Sequence, residues 1–161
     1  MPTYTRTTLT NATQSLLDAF STSSDLPTIL NTFTTIPPPT AHEHGLPQLA
    51  LFLGRTFTGL DQVEEYFTLL NEHLRIESIQ FDDQKEWTVD LETGVVCLKG
   101  YARFVSKESE EGWDEVFIYR IGLAEDEEKK EKKKVKVRSY EVWADTGAAY
   151  LAAKGELKSL S

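Results

Sequence analysis

The sequence predicts an α+β domain in which helices come first and a strongly bent, mainly antiparallel sheet comes after them. Three observations carry this reading. Apolar residues recur at helical spacing as far as Leu74. From Arg75 onward the period changes to two, that of a half-buried strand. After the two early helices stands "IPPPT" (Ile36 to Thr40), whose prolines fix φ and remove backbone donors, so regular structure breaks there.

The elements are taken in chain order. Leu9, Ala12, Leu16, Leu17 and Phe20 share one face of a helix over 8–20, with Thr7 or Thr8 as its cap. Leu26, Ile29, Leu30 and Phe33 repeat the pattern over 25–34, with Ser24 as N-cap and Pro27 in the first turn. "LALFL" (Leu49 to Leu53) reads as a short buried strand, and Gly54 and Gly59 punctuate the segment leading to the next helix. Leu60, Val63, Phe67, Leu70 and Leu74 give the strongest helix, 60–74, with Asp61, Glu64, Glu65 and Glu72 on its other face. Strands are expected near 75–82, 86–91, 95–105, 113–124 and 135–144. "ETGV" and "SEEGW" supply turns between them. Asp145 suits the cap of a terminal helix, and Gly155 its stop.

A chain of 161 residues is most simply one domain, here 1–161 with a core of about 8–153. The net charge of -9 leaves no basic footprint for nucleic acid or for an anionic membrane. No apolar run approaches the roughly 20 residues that span a bilayer, and the first residues carry no signal pattern, so the cytoplasm is the expected location. The single cysteine, Cys97, sits in an apolar run and reads as a small buried hydrophobe. "EDEEKKEKKK" (Glu125 to Lys134) balances five acids with five bases and reads as a solvated, mobile hairpin loop.

"GRTFTGLDQVEEYFTLL" (Gly54 to Leu70) resembles the strand, glycine and third helix of the nuclear transport factor 2-like superfamily. "GWDEVFIYRIGL" (Gly112 to Leu123) resembles its long penultimate strand, and "KVKVRSYEVWAD" (Lys134 to Asp145) its last, with Val137 eight residues before Asp145. The likeness is strongest to the SnoaL-like branch, related to polyketide cyclases. It implies a cone: a strongly curved sheet, antiparallel or mixed, wrapped around the long helix and open at one end. It also implies a homodimer through the convex sheet face. The superfamily holds isomerases, dehydratases and hydrolases beside non-catalytic transport and scaffold proteins, so chemistry has to be argued from the site.

Strand alternation puts Leu98, Gly100, Ala102, Phe104, Trp113, Glu115, Phe117 and Tyr119 on one face. Mainly apolar with a few polar tips, that face suits a ligand cavity. The resemblance turns Tyr140 and Val142 inward and Glu141 and Trp143 outward. Trp113, Glu115, Phe117, Tyr119 and Tyr140 are the candidate ligand-binding residues. Lys99, Tyr101, Arg103, Val116, Ile118 and Arg120 form the other face, which suits a partner's matching sheet.

"AHEHGLP" (Ala41 to Pro47) carries the candidate acid–base pair, Glu43 and His44. Its region resembles the place where ketosteroid isomerase holds its general base, and a carboxylate beside an apolar cavity would have a raised pKa. The surrounding prolines, glycine and polar residues read instead as an exposed loop. His42 and His44 can meet one metal only from an extended strand, and His73 is the sole further histidine. Neither a metal nor another cofactor is expected. Where ketosteroid isomerase has its second acid, this chain has Phe117, and the signatures of limonene epoxide hydrolase and scytalone dehydratase have no counterparts. The expectation is a pocket protein for a small hydrophobic, oxygenated molecule. Its chemistry would be proton transfer leading to isomerisation, cyclisation or dehydration. The alternative is a non-catalytic ligand-binding or protein-interaction module.

Overall fold

A computed structural model describes residues 3–22 and 25–160. Among these are four α-helices and a seven-stranded sheet. The order is α1 (Arg6–Ser21), α2 (Leu26–Leu30), β1 (Thr40–His44), β2 (Thr56–Thr58), α3 (Leu60–His73), β3 (Leu74–Phe81), β4 (Thr88–Asp90), β5 (Val95–Ser106), β6 (Gly112–Asp126), β7 (Lys134–Trp143) and α4 (Thr146–Ala153). Across the sheet the strands run β2-β1-β7-β6-β5-β3, and β4 extends the β3 side by pairing with the start of β5. Every pairing is antiparallel except β1 with β7, which is parallel.

Helix α1 begins at a capping box. Thr5 Oγ1 accepts from the Thr8 backbone N–H at 3.1 Å, and Thr8 Oγ1 accepts from the Thr5 N–H at 3.1 Å. The cap is therefore Thr5 rather than Thr7 or Thr8, since a reciprocal pair satisfies two orphan donors at once. Ser24 lies outside the described residues; α2 is capped by Asp25, which accepts from the Thr28 N–H at 3.0 Å. The expected helix over 25–34 is cut short at Leu30. Thr34 donates to Val137 O and Val137 to Thr32 O, so this backbone turns aside to pair with β7.

The expected strand over 49–53 is a run of tight turns, with Leu49 donating to Leu46 O and Leu53 to Ala50 O. The strand lies earlier, in "TAHEH", and its burial alternates residue by residue. Gly54, at φ 71°, turns the chain back toward β1: its N–H donates to Glu43 O, and a Cβ there would meet Gly45 O at 2.5 Å. The later strands fall within about two residues of expectation, except that 86–91 shrinks to β4 behind a 3₁₀ turn, Gln84–Glu86. Strands β6 and β7 reach Asp126 and Lys134, so both ends of the charged block belong to the sheet. Asp145 caps α4 by accepting from the Ala148 N–H at 3.0 Å, and Gly155 stops it at φ 72°.

The core lies between the concave side of the sheet and helices α1 and α3. Leu9, Leu16 and Leu17 of α1 and Val63 and Tyr66 of α3 are fully buried against Phe33, Val96, Ile121 and Val137. On the convex side Tyr101, Val116, Ile118 and Trp143 remain exposed. They are interleaved with the ion pairs Arg103–Asp114 at 3.2 Å and Arg120–Glu141 at 3.1 Å. No helix is long and apolar enough to cross a membrane among the described residues.

Candidate active site

The concave face and the two long helices enclose a cavity of about 550 Å³, within the usual range for small-molecule sites. Trp113, Glu115, Phe117, Tyr119 and Tyr140 all line it, together with Glu43 from β1, Tyr66, Phe67 and Leu70 from α3, and Phe20 from α1. Gly100 stands opposite Phe117 in the sheet. A Cβ at Gly100 would lie 2.2 Å from two ring carbons of Phe117, so the missing side chain lets that ring fold back across β5 and leaves the cavity open.

Sheet register fixes the chemistry-bearing residues in rows. Glu43 pairs with Val142, Val142 with Tyr119, and Tyr119 with Leu98. One pleat toward the closed end, Ala41, Tyr140, Ile121 and Val96 form the next row. Glu43 and Tyr119 thus flank one strand, β7, with both side chains directed inward.

Glu43 is 7% exposed. Its Oε1 accepts from Tyr66 Oη at 2.6 Å, the length of a charge-assisted O–H···O bond. That is the carboxyl's one protein hydrogen bond among the described residues. Every fully buried side-chain polar atom among them has a partner, so the unpaired Oε2 is open to the cavity that Glu43 lines. Burial pushes the Glu43 carboxyl up to about 7, against the opposing pull of the Tyr66 bond, and the Glu115 charge adds to the rise. Burial also raises the phenols of Tyr66, Tyr119 and Tyr140, which therefore stay protonated as donors. The Tyr119 and Tyr140 rings lie 5.1 Å apart, and those of Tyr66 and Tyr140 6.1 Å apart.

Nearer the mouth, Glu115 is also buried, and burial raises its carboxyl. Its Oε1 accepts from Trp113 Nε1 at 2.7 Å and its Oε2 from the Asp145 N–H at 3.1 Å. It therefore ties β6 to the entry of α4.

No family model matches the chain, and no curated protein matches it by sequence. Solved structures do match by shape. An NTF2-like protein from Burkholderia xenovorans superposes with a TM-score of 0.67 at 16% identity, covering 94% of this chain and 99% of that one. An NTF2-like protein of unknown function from Burkholderia pseudomallei gives 0.69 at 15%, covering 93% and 98%. A ketosteroid isomerase-like protein from Erwinia carotovora atroseptica gives 0.62 at 12%, covering 86% and 95%. The chain has the nuclear transport factor 2-like fold. At these identities the likeness concerns architecture, and the chemistry rests on this chain's own residues.

Within the nuclear transport factor 2-like cone, Glu43 and His44 do not form a pair. They are neighbours on a strand, so alternation sends one inward and the other outward. His44 stacks on Trp143 of the convex face, with centroids 4.1 Å apart and planes 10° from parallel. Its Nε2 lies 3.2 Å from Glu141 Oε1. The exposed-loop reading of this segment fails for the same reason: β1 is an internal strand between β2 and β7. His42 and His44 do share a face, with ring centroids 4.4 Å apart. His42 Nδ1 is engaged with Thr56 Oγ1 at 2.9 Å, and His73 hydrogen-bonds Glu108 at the far end of α3. No group of three or more potential ligands among the described residues could hold a metal ion.

Tyr66 is the site residue that the sequence reading misses, although the signal is there. Val63, Tyr66, Phe67 and Leu70 run i, i+3, i+4, i+7 along the buried side of α3, which puts a phenol in the centre of an apolar stripe.

Proposed function

We propose that the protein is an acid–base enzyme acting on a small hydrophobic molecule that carries a carbonyl group, with isomerisation as the simplest outcome. The observation that supports this best is Glu43: a buried carboxyl with one oxygen held by Tyr66 and the other open to a cavity walled at that end by aromatic side chains. A base with its pKa brought up to about 7 is matched to proton transfer near neutral pH. In this reading Glu43 Oε2 takes a proton from the carbon beside the carbonyl. The C–H electron pair moves into a C=C bond and the carbonyl oxygen gains the charge. Tyr119 or Tyr140 donates a hydrogen bond to that oxygen. Where the substrate carries a β,γ C=C bond, the charge extends to the γ carbon; Glu43 returns the proton there, the C=O bond re-forms, and the C=C bond ends between the α and β carbons. Cyclisation and dehydration share the first of these steps. The solved structure described as ketosteroid isomerase-like is consistent with this class of chemistry.

The test is solvent-deuterium incorporation into aryl methyl ketones, beginning with 4-acetylbiphenyl, measured by mass spectrometry. Wild-type protein should catalyse exchange at the acetyl methyl with a rate that rises with pH through about 7. Glu43→Gln should lower that rate on the order of 10²- to 10⁴-fold while binding persists. His44→Ala, altered on the outer face, should leave exchange unchanged. Ketones bound without exchange by the wild type would favour a non-catalytic ligand-binding module instead.

The convex face supports a homodimer as part of the same proposal. Tyr101, Val116, Ile118 and Trp143 expose apolar surface among charges of both signs, a pattern that a second copy related by a two-fold axis can match. Sedimentation should give a species of twice the monomer mass, and Trp143→Glu should convert it to monomer. A monomer in the wild type at micromolar concentration would remove this part.

A further inference from the structure

The second carboxyl of the cavity is placed where a base is not needed. Glu115 and Tyr119 lie on the same face of β6, and β5 and β6 pair without a register shift over this stretch. Four residues of extended strand separate Glu115 from the Tyr119–Glu43 row by roughly 13 Å. Between the two ends the wall is apolar, made by Phe117, Phe104, Phe20, Phe67, Leu70 and Ile79.

The two ends differ in what they can accept. Glu115 already receives one donor on each oxygen, from Trp113 and from the Asp145 backbone. A carboxylate offers about four lone-pair sites, so it is held rigidly and can still accept more. Both of those donors are N–H groups without charge. Of the cations that line the cavity, Arg75 is already paired with Glu110 at 3.0 Å and lies 3.7 Å from Glu77, and Lys107 stands exposed, where solvent screens its charge. A ligand anion at Glu115 would therefore meet a buried carboxyl held by neutral donors alone.

We propose that the cavity takes an elongated, uncharged molecule whose far end carries a hydroxyl group donated to Glu115, which makes Glu115 the residue that sets specificity. The assignment of the ketone end rests on the proposed acid–base reading; the assignment of the hydroxyl end rests on Glu115 alone. Glu115 is a binding residue here and takes no part in proton transfer.

The two ends are separable by experiment. Calorimetry with three probes, 4-acetylbiphenyl carrying methyl, hydroxyl or carboxylate at the 4′ position, measures the far end without requiring turnover. The hydroxyl compound should bind at least tenfold more tightly than the methyl compound, and the carboxylate at least tenfold more weakly. Glu115→Gln keeps an acceptor for one of the two existing donors, and the methyl compound measured in that variant is the reference against which its hydroxyl and carboxylate affinities are read. The hydroxyl preference should fall below threefold in that variant, and the carboxylate penalty should shrink. The same ranking should survive in Glu43→Gln, where deuterium exchange is lost. Equal binding of the methyl and hydroxyl compounds by wild-type protein would overturn the proposal, as would a hydroxyl preference that persists in Glu115→Gln. Absence of exchange alongside the expected ranking would remove the acid–base reading and leave the Glu115 assignment standing.

Discussion

Glu43→Gln is expected to stabilise the fold by roughly 3 kcal/mol at pH 8, a gain that shrinks below about 1 kcal/mol at pH 5. The reasoning is linkage. Burial holds the native carboxyl at about 7 against an ordinary value of 4.5, so the folded state binds this proton more tightly than the unfolded chain does. Stability from this group is fully present below pH 4.5, falls as pH rises toward 7, and is lost above it. Glutamine keeps the acceptor for Tyr66 and never ionises, so it escapes that loss. For a chain of this length the gain at pH 8 corresponds to roughly 6–12 °C in Tm. Calorimetric scans of both proteins across pH 4 to 8 would measure it. Curves separated by a constant amount would mean that Glu43 ionises as it does in water.

Tyr66→Ala is expected to be the most damaging single substitution in the site, costing roughly 3–5 kcal/mol. Tyr66 is fully buried and packs its ring against Phe57, Phe67 and Tyr140, at centroid distances of 5.5, 5.0 and 6.1 Å. Tyr66→Phe separates packing from hydrogen bonding. It keeps the ring contacts and removes the one donor to Glu43, worth roughly 1.5–3 kcal/mol when the acceptor is charged. Because the Tyr66 bond holds the Glu43 pKa down, its loss moves ionisation of Glu43 to still higher pH. Denaturant melts should therefore show a larger deficit for Tyr66→Phe at pH 8 than at pH 5, and a deficit for Tyr66→Ala that is large at both. A pH-independent cost for Tyr66→Phe would mean that the bond is not made to a titrating group.

The two halves of the molecule are unequally legible in the sequence. Strands β5 and β6 announce themselves because burial alternates over their first eight to ten residues, which leaves little room for another register, whereas β7 has buried residues three apart at Val137 and Tyr140 and its register is not fixed by alternation. Strand alternation aims Tyr119 inward, and the family resemblance does the same for Tyr140. Strand β1 gives no such signal. Its inward residues are Ala41 and Glu43 and its outward ones are histidines, so hydrophobicity does not alternate even though burial does. The apolar run Leu49–Leu53 attracts the strand assignment instead, and Phe52 and Leu53 are buried from turns. Placing a carboxylate on an interior strand contradicts the usual pattern of burial, and such contradictions gather where function is carried. The same inversion hides the separation of Glu43 from His44, because a loop imposes no opposite faces on neighbouring residues and a strand does.

The parallel pairing of β1 with β7 also has a meaning in time. Translation delivers the chain from its first residue onward, and Thr40–His44 leaves the ribosome well before Ser139–Trp143, the segment it must lie beside. Until that last strand arrives, β1 lacks its inner neighbour and Glu43 stays hydrated, an ordinary carboxylate carrying its charge in water. The cost of dehydrating the base therefore falls on a step that cannot precede the synthesis of β7. A polypeptide halted before that strand would lack the connection between β1 and β6, and with it the pairing that buries Glu43.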